Sequence, residues 1–166
     1  MQLRDVTRGD LPALHALNQA SVPAVGSVPP EQFEYFLRVA DYFRLAEIDG
    51  GPAGFLIGLR PGSDYGSLNY AWFSRRYADF VYIDRLAVDA RWRRQGVASA
   101  LYADIERYAL GLDAPLLACE VNLRPRNDGS LAFHERNGFT EVGRQDTEGG
   151  SKTVSLLIRS LGTGAD

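Results

Sequence analysis

The sequence predicts an α/β fold built on a mixed sheet, antiparallel at both ends, with one parallel strand pair in the middle. Three observations predict it. A buried strand over 80–88 passes through an arginine-rich turn into an amphipathic helix, and an apolar strand over 116–121 follows, which makes a βαβ unit with parallel strands and a right-handed crossover. Upstream, two apolar runs over 42–48 and 53–59 flank Asp49-Gly50-Gly51-Pro52, the pattern of an antiparallel hairpin. Downstream, runs over 140–145 and 153–158 form a closing hairpin around Glu148-Gly149-Gly150.

In chain order, 2–6 reads as a short opening strand. Asp10 suits an N-cap, after which Leu11, Leu14, Leu17 and Asn18 recur at helical spacing up to Ser21. The loop Val22-Pro23-Ala24-Val25-Gly26-Ser27 breaks that pattern, and Pro29-Pro30 opens a second helix with Phe33, Phe36, Leu37 and Ala40 on its apolar face. Residues 60–77 read as irregular: Pro61, Gly62 and Gly66 punctuate an aromatic segment, and a connection of that length in a compact domain goes with function. The helix over 96–110 carries Val97, Ala100, Leu101, Ile105, Tyr108 and Ala109 on one stripe, and Gly111-Leu112-Asp113-Ala114-Pro115 ends it. A loop over 122–127 leads to a short helix over 128–137, with Gly138 just beyond its end. The expected organisation is one domain over 1–161 and a disordered tail over 162–166.

The 166 residues are enough for a sizeable core, and 45% hydrophobic with 23% charged residues is an ordinary globular balance. A net charge of −3 argues against nucleic acid or a membrane surface as partner. The arginines at 91–94 are therefore a local feature, suited to one small anionic ligand. Cys119 is the sole cysteine, so an intrachain disulfide is excluded and a buried thiol is expected. No apolar run has bilayer-spanning length and no signal peptide is visible at Met1-Gln2-Leu3-Arg4, which points to the cytoplasm. His15 and His134, without clustered cysteines or acids, make no metal site.

The turn before the long helix is where chemistry is expected. The first N–H groups of a helix lack intrahelical partners and the helix dipole adds partial positive charge there. Gly96 and Ala98 place no bulky side chain in the way, and Arg91, Arg93 and Arg94 add full charge, which together suit a diphosphate. Neither G-x-x-x-x-G-K-[ST] nor G-x-G-x-x-G after a first strand occurs. The chain instead carries Arg93-Arg94-Gln95-Gly96-Val97-Ala98, a match to [QR]-x-x-G-x-[GA]. At the expected distance comes Asn127-Asp128-Gly129-Ser130-Leu131-Ala132-Phe133-His134-Glu135-Arg136-Asn137-Gly138-Phe139, similar to N-x-x-[AS]-x-x-[FL]-Y-x-x-x-G-F. In that order the two patterns resemble those of the GNAT superfamily of N-acetyltransferases, firmly over 80–143 and by layout elsewhere.

The resemblance implies a GNAT-like mixed, mostly antiparallel sheet whose central parallel strands splay and are flanked by helices. It implies acetyl-coenzyme A as cofactor, with the pyrophosphate on Arg93, Arg94, Gln95, Gly96, Val97, Ala98 and Ser99. The pantetheine arm then follows the backbone of Leu86, Ala87 and Val88, beside Asn127 and Phe133. Asn127 has capping of the short helix as its other candidate role, and the two are compatible. Leu86 N–H becomes the candidate oxyanion donor. Val81 and Ile83 point one way along the strand while Leu86 and Val88 point the other, which either burial on both faces or a bulge near 84–86 explains.

Amide formation needs a neutral amine, so a base must take its proton. Asp84, in an otherwise apolar strand, and Glu120, on the adjacent parallel strand, are the two candidates. Neighbouring strand residues face opposite sides, so Asp84 is not expected to pair with Arg85. His134 stands where the family carries a tyrosine that protonates the departing thiolate, and an imidazolium is able to do the same near neutral pH. The acceptor is expected to meet Asn18 and an aromatic-walled pocket of Asn69, Tyr70, Trp72 and Phe73. The function this implies is an N-acetyltransferase that acts on a primary amine of a small molecule or amino acid by direct attack in a ternary complex. The alternative is a non-catalytic acyl-coenzyme A sensor, and a homodimer stays open.

Overall fold

The computed structural model describes residues 1–162; the rest of the expected tail, 163–166, lies outside the described residues. The elements are β1 (Gln2–Asp5), α1 (Leu11–Ala20), α2 (Pro30–Val39), β2 (Tyr42–Ile48), β3 (Gly51–Leu59), α3 (Leu68–Arg76), β4 (Val81–Val88), α4 (Val97–Gly111), β5 (Leu116–Arg124), α5 (Asp128–Arg136), β6 (Thr140–Thr147) and β7 (Lys152–Ser160). Among the described residues the strand order is β1-β2-β3-β4-β5-β7-β6, with β4 and β5 the parallel pair and antiparallel pairing toward both edges. The mixed α/β fold expected from the sequence is the one found. The described residues gather into two compact units: the first holds Met1–Leu59 and Ile83–Tyr108, the second Arg60–Tyr82 and the described residues from Ala109.

In the first unit, the left-handed pair Asp49 (φ 52°) and Gly50 (φ 76°) turns β2 into β3, the geometry a tight hairpin requires. The three-to-four spacing of Phe33 and Phe36 turns both rings of α2 inward, where Phe33 meets Phe36 and Phe55 edge to face at 5.9 and 5.6 Å. Asp10 stands at the N-cap position of α1 as expected, but its side chain makes no capping bond. Its carboxylate is taken by the Thr7 N–H and hydroxyl and by the Arg4 guanidinium, because a short 3-10 turn over Arg8–Asp10 precedes the helix. Gly54 marks a close approach within β3: a methyl there would stand 2.9 Å from the Ala87 carbonyl oxygen and from Val97 Cγ1. β3 is therefore packed directly against the strand end and helix start that flank the arginine turn.

In the second unit, β4 pairs with β5 at Val81↔Leu117 and Tyr82↔Ala118, and β5 runs antiparallel to β7, which pairs with β6. The segment expected to be irregular contains a nine-residue helix, α3. Ser67 caps it, its hydroxyl accepting from the Tyr70 N–H, and the dense aromatics are the buried face of that helix. β5 also continues through Asn122–Arg124 territory expected to be loop, with an irregularity between Asn122 and Arg124 in its pairing to β7.

A polar hub fastens α4 to β2. Asp104, 9% exposed, accepts from the Tyr42 hydroxyl at 2.7 Å, from Arg44 Nη1 at 2.6 Å and from Arg107 Nη2 at 2.9 Å. Burial alone would raise the Asp104 pKa, but the bonds from Tyr42, Arg107 and Arg44 outweigh it and hold the carboxyl below its ordinary 3.8. A depressed carboxylate contributes stability that is complete above its unfolded pKa and is lost as pH falls through the folded one. Asp104→Ala is expected to cost about 3 kcal/mol at neutral pH, by leaving the Tyr42 hydroxyl and the Arg44 guanidinium without their shared acceptor. Urea midpoints of the two proteins should converge as pH drops below 4, and a gap that persists there would contradict the assignment.

Candidate active site

The first unit contains the strand end and turn singled out by the sequence. After Val88 the chain makes a 3-10 turn at Ala90–Trp92, capped by Asp89, whose carboxylate accepts from the Arg91 N–H and pairs with the Arg91 guanidinium. Arg94 (φ 60°) and Gly96 (φ 82°) both adopt left-handed backbone, which swings the chain into α4. Arg93, Arg94, Gln95, Gly96 and Ser99 are exposed, Ala98 half-buried, and Val97 anchors the turn in the core at 1% exposure. Gln95 Nε2 donates to the Arg91 carbonyl, bracing the turn across itself. The helical bonds begin with Ala100 N–H to Gly96 carbonyl oxygen, so the amides of Val97, Ala98 and Ser99 precede the ladder. Nothing lies within 4 Å of where a Gly96 side chain would project. An open, positively charged cradle of this kind fits a diphosphate.

Just before the turn, β4 departs from the expectation for Asp84. Its side chain, 4% exposed, is ion-paired with that of Arg85 at 2.8 Å. The adjacent side chains meet because the long arginine side chain folds back, its guanidinium 5.0 Å from the centre of the Phe36 ring. Arg85 Nη1 also donates to Asn18 Oδ1 at 2.8 Å and to the Gly26 carbonyl at 3.1 Å. Asn18 is fully buried and its amide donates to the same Gly26 carbonyl and to Gln19. Asn18 therefore braces the loop after α1 and does not present itself to an acceptor. Leu86 and Val88 are half-buried and Ala87 is buried.

The second unit contains the other carboxylate. Tyr82, fully buried, donates its hydroxyl to Glu120 at 2.7 and 2.9 Å from the two carboxylate oxygens. The parallel register brings this about by placing Tyr82 beside Ala118, two residues before Glu120 on the same face. Tyr82 went unrecognised in the sequence; an aromatic hydroxyl at the strand start opposite β5 was the available signal. Cys119, facing the other way, is buried, and burial followed by the neighbouring Glu120 charge pushes its thiol well up, which keeps it protonated and unreactive.

His134 is in the core rather than at an exposed position, 5% exposed and edge-on to Phe133 and Phe139. A carbonyl oxygen only accepts, so the 2.7 Å contact between Nδ1 and the Ser130 carbonyl fixes the proton on Nδ1. Burial lowers the His134 pKa and outweighs the opposing pull of that bond. Burial thus disfavours the imidazolium form that the expected proton donor would need. Asn127 caps α5, its side chain accepting from the Ser130 N–H. Phe133 is half-buried on the same helix.

The aromatic-walled acceptor pocket is also corrected. Tyr70, Trp72 and Phe73 are 4%, 8% and 0% exposed because they are the packing face of α3. Tyr70 donates its hydroxyl to the Arg60 carbonyl, and Asn69 accepts from Gln145.

The family model of the acetyltransferase (GNAT) family matches residues 11–139, and this chain belongs to that family. The chemistry of the family is acetyl transfer, with acetyl-coenzyme A as the donor. Among curated proteins none matches the chain in sequence. Solved structures share its fold: Ard1 from Thermoplasma volcanium, at TM-score 0.79 and 19% identity, with 96% of this chain and 97% of that one covered. The ribosomal-protein-S18-alanine N-acetyltransferase from Escherichia coli has TM-score 0.74 and 18% identity over 99% and 98%. An aminoglycoside 6'-N-acetyltransferase complexed with coenzyme A has TM-score 0.76 and 13% identity over the whole of both chains. No helix among the described residues is long and apolar enough to cross a membrane.

The neutral His134 makes a prediction on stability. Where the folded pKa of a histidine lies below its unfolded value of about 6.5, the unfolded chain binds more protons in between, so stability rises with pH across that window. Wild-type protein should gain stability as pH rises from below the unfolded histidine pKa toward 7 by this route. His134→Phe should flatten that slope in urea titrations; an unchanged slope would mean that the ring is not held neutral.

Proposed function

We propose that this chain is an N-acetyltransferase acting on a primary amine of a small molecule or an amino acid, by direct attack in a ternary complex. The observation that carries this reading is the open Gly96 cradle with exposed Arg93 and Arg94 at the head of α4, in a chain of the acetyltransferase family. Arg93, Arg94, Gln95 and the amides from Gly96 to Ser99 hold the diphosphate. The backbone of Leu86, Ala87 and Val88 would hold the pantetheine arm, and Asn127 and Phe133 are the further candidates for it by the family pattern. Acetyl-coenzyme A, when bound, supplies an activated acyl thioester. Leu86 N–H would be the donor to the thioester carbonyl oxygen, on which negative charge develops.

Of the two carboxylates, Glu120 is the better base. Asp84 is committed to Arg85, and lowering that pair's charge would strand a buried guanidinium. Glu120 is held in one orientation by the Tyr82 hydroxyl, and a carboxylate has lone pairs for more than one donor. It would accept the amine proton as the C–N bond forms and the thioester C–S bond breaks, coenzyme A leaving as its thiolate. His134, with its proton on Nδ1, packs α5 against Phe139 and takes no part in protonating the thiol. That neutrality favours a second reading, the acyl-coenzyme A sensor, which requires binding without thiol release from any amine.

Glu120→Gln should lower kcat by about 10²- to 10³-fold while coenzyme A still raises Tm as in the wild type. Gly96→Val, which forces a β-branched residue into a left-handed turn and fills the cradle, should abolish that rise in Tm. Thiol release across a panel of amines reads the first effect and thermal scans the second. Full turnover by Glu120→Gln would remove Glu120 as the base.

A further inference from the structure

The sheet face bearing Glu120 is not open. Directly paired residues of neighbouring strands share a face, so the register places Glu120, Leu156 and Gly143 together on one side of the second unit's strands. Tyr82 belongs to that side through its pairing with Ala118, in agreement with its bond to Glu120. α3 lies across this same side. At one end the rings of Tyr70 and Phe73 meet the Tyr82 ring, at 5.5 and 5.9 Å between centres. At the other, Trp72 rests on Gly143 so closely that a methyl there would come within 2.5 Å of Cζ2. Asn69 and Gln145 bond at 2.9 Å beside that contact. Arg76 covers the outer side of Trp72, its guanidinium carbon 3.8 Å from the ring centre, and donates to the Trp72 carbonyl.

α3 therefore spans from the partner of Glu120 to the outer strand β6, held by an aromatic ring on a bare backbone. An acceptor that reaches Glu120 on this face meets α3 first. A peptide α-amine trails a chain that needs its own run of uncovered surface, whereas a compact amine does not. We infer that α3, seated by Trp72 on Gly143, is the specificity wall of the enzyme, admitting compact primary amines to Glu120 and turning away peptide and protein N-termini. The inference rests on the acetyltransferase reading with Glu120 as base.

The test uses the full chain, acetyl-coenzyme A and two acceptor series. One is single-residue amides with simple aliphatic amines; the other is peptides of increasing length with the same first residue. Thiol release gives the rate and mass spectrometry identifies the acetylated product. The wild type is expected to lose at least about tenfold in kcat/KM between the single-residue amide and the tetrapeptide. Trp72→Ala should shrink that loss to less than about threefold. Trp72 is a core side chain, so Asn69→Ala and Arg76→Ala loosen the same seat from less buried positions, and a coenzyme A-induced rise in Tm establishes that each variant is folded. Peptides accepted by the wild type as readily as single-residue amides would overturn the inference, as would an unaltered length preference in the folded variants. Coenzyme A protection and thiol release would in those cases leave the transferase reading standing. Thiol release from neither series would overturn both.

Discussion

A guanidinium taken out of water has to be neutralised and have its N–H groups met, and Arg85 imposes that requirement on much of the first unit. Its charge is answered by Asp84, its remaining donors by Asn18 and the Gly26 carbonyl, and its flat face by Phe36. Those partners come from the strand itself, from the C-terminal turn of α1, from the loop after it and from α2. One charge on β4 thus determines where that loop lies. Swapping Arg85 for an apolar residue would take away the ion-pair partner of the buried Asp84 carboxylate and a donor to the Asn18 side chain, which is why an ion pair of this sort specifies an arrangement more than it adds net stability. The next residues along the strand, Leu86 to Val88, enter the arginine turn from a backbone held in place by that network and by the tight contact at Gly54.

The second unit resolves its polar groups differently. Tyr82 and Glu120 satisfy each other, Asn127 spends its side chain on the first turn of α5, and His134 gives its proton to the carbonyl one turn back. Cys119 and His134 are both kept uncharged by burial, one as a thiol and the other as an imidazole. Glu120 is half-buried, its carboxylate oriented by the Tyr82 hydroxyl. The chemistry proposed for this fold accordingly falls to a carboxylate on β5, while the residue in the family's tyrosine position is packed between Phe133 and Phe139.

The parts of this structure legible in the sequence are those encoded locally. The hairpin turn at Asp49-Gly50, the βαβ unit and the glycine at the head of α4 are each specified within a few residues, by left-handed backbone or by helical spacing. α3 was not legible because Pro61, Gly62, Ser63 and Gly66 resemble loop punctuation and the helix is short, although Ser67 three residues before Tyr70 was a capping signal. The Asp84–Arg85 pair contradicts strand alternation, and it depends on Phe36 and Asn18, far away in sequence, to make folding back favourable. Tyr82–Glu120 depends on register between strands separated by a whole crossover helix. The aromatic residues of 65–77 were recognised as important, but composition does not say whether rings face a ligand or a core.

That last ambiguity has a physical resolution in Gly143. A strand glycine leaves a gap in the side-chain row, and an indole is the largest side chain available to fill it. Trp72 fills the gap from across the sheet face, so glycine on β6 and tryptophan on α3 are two halves of one contact, and the same rings cannot also wall an acceptor pocket. Packing has therefore claimed the aromatic surface that the sequence offered for recognition. In the reading proposed here, substrate selection falls to the volume that α3 itself occupies on the face of Glu120. Selection by occupied space discriminates through the bulk of the chain attached to the amine rather than through contacts made to it.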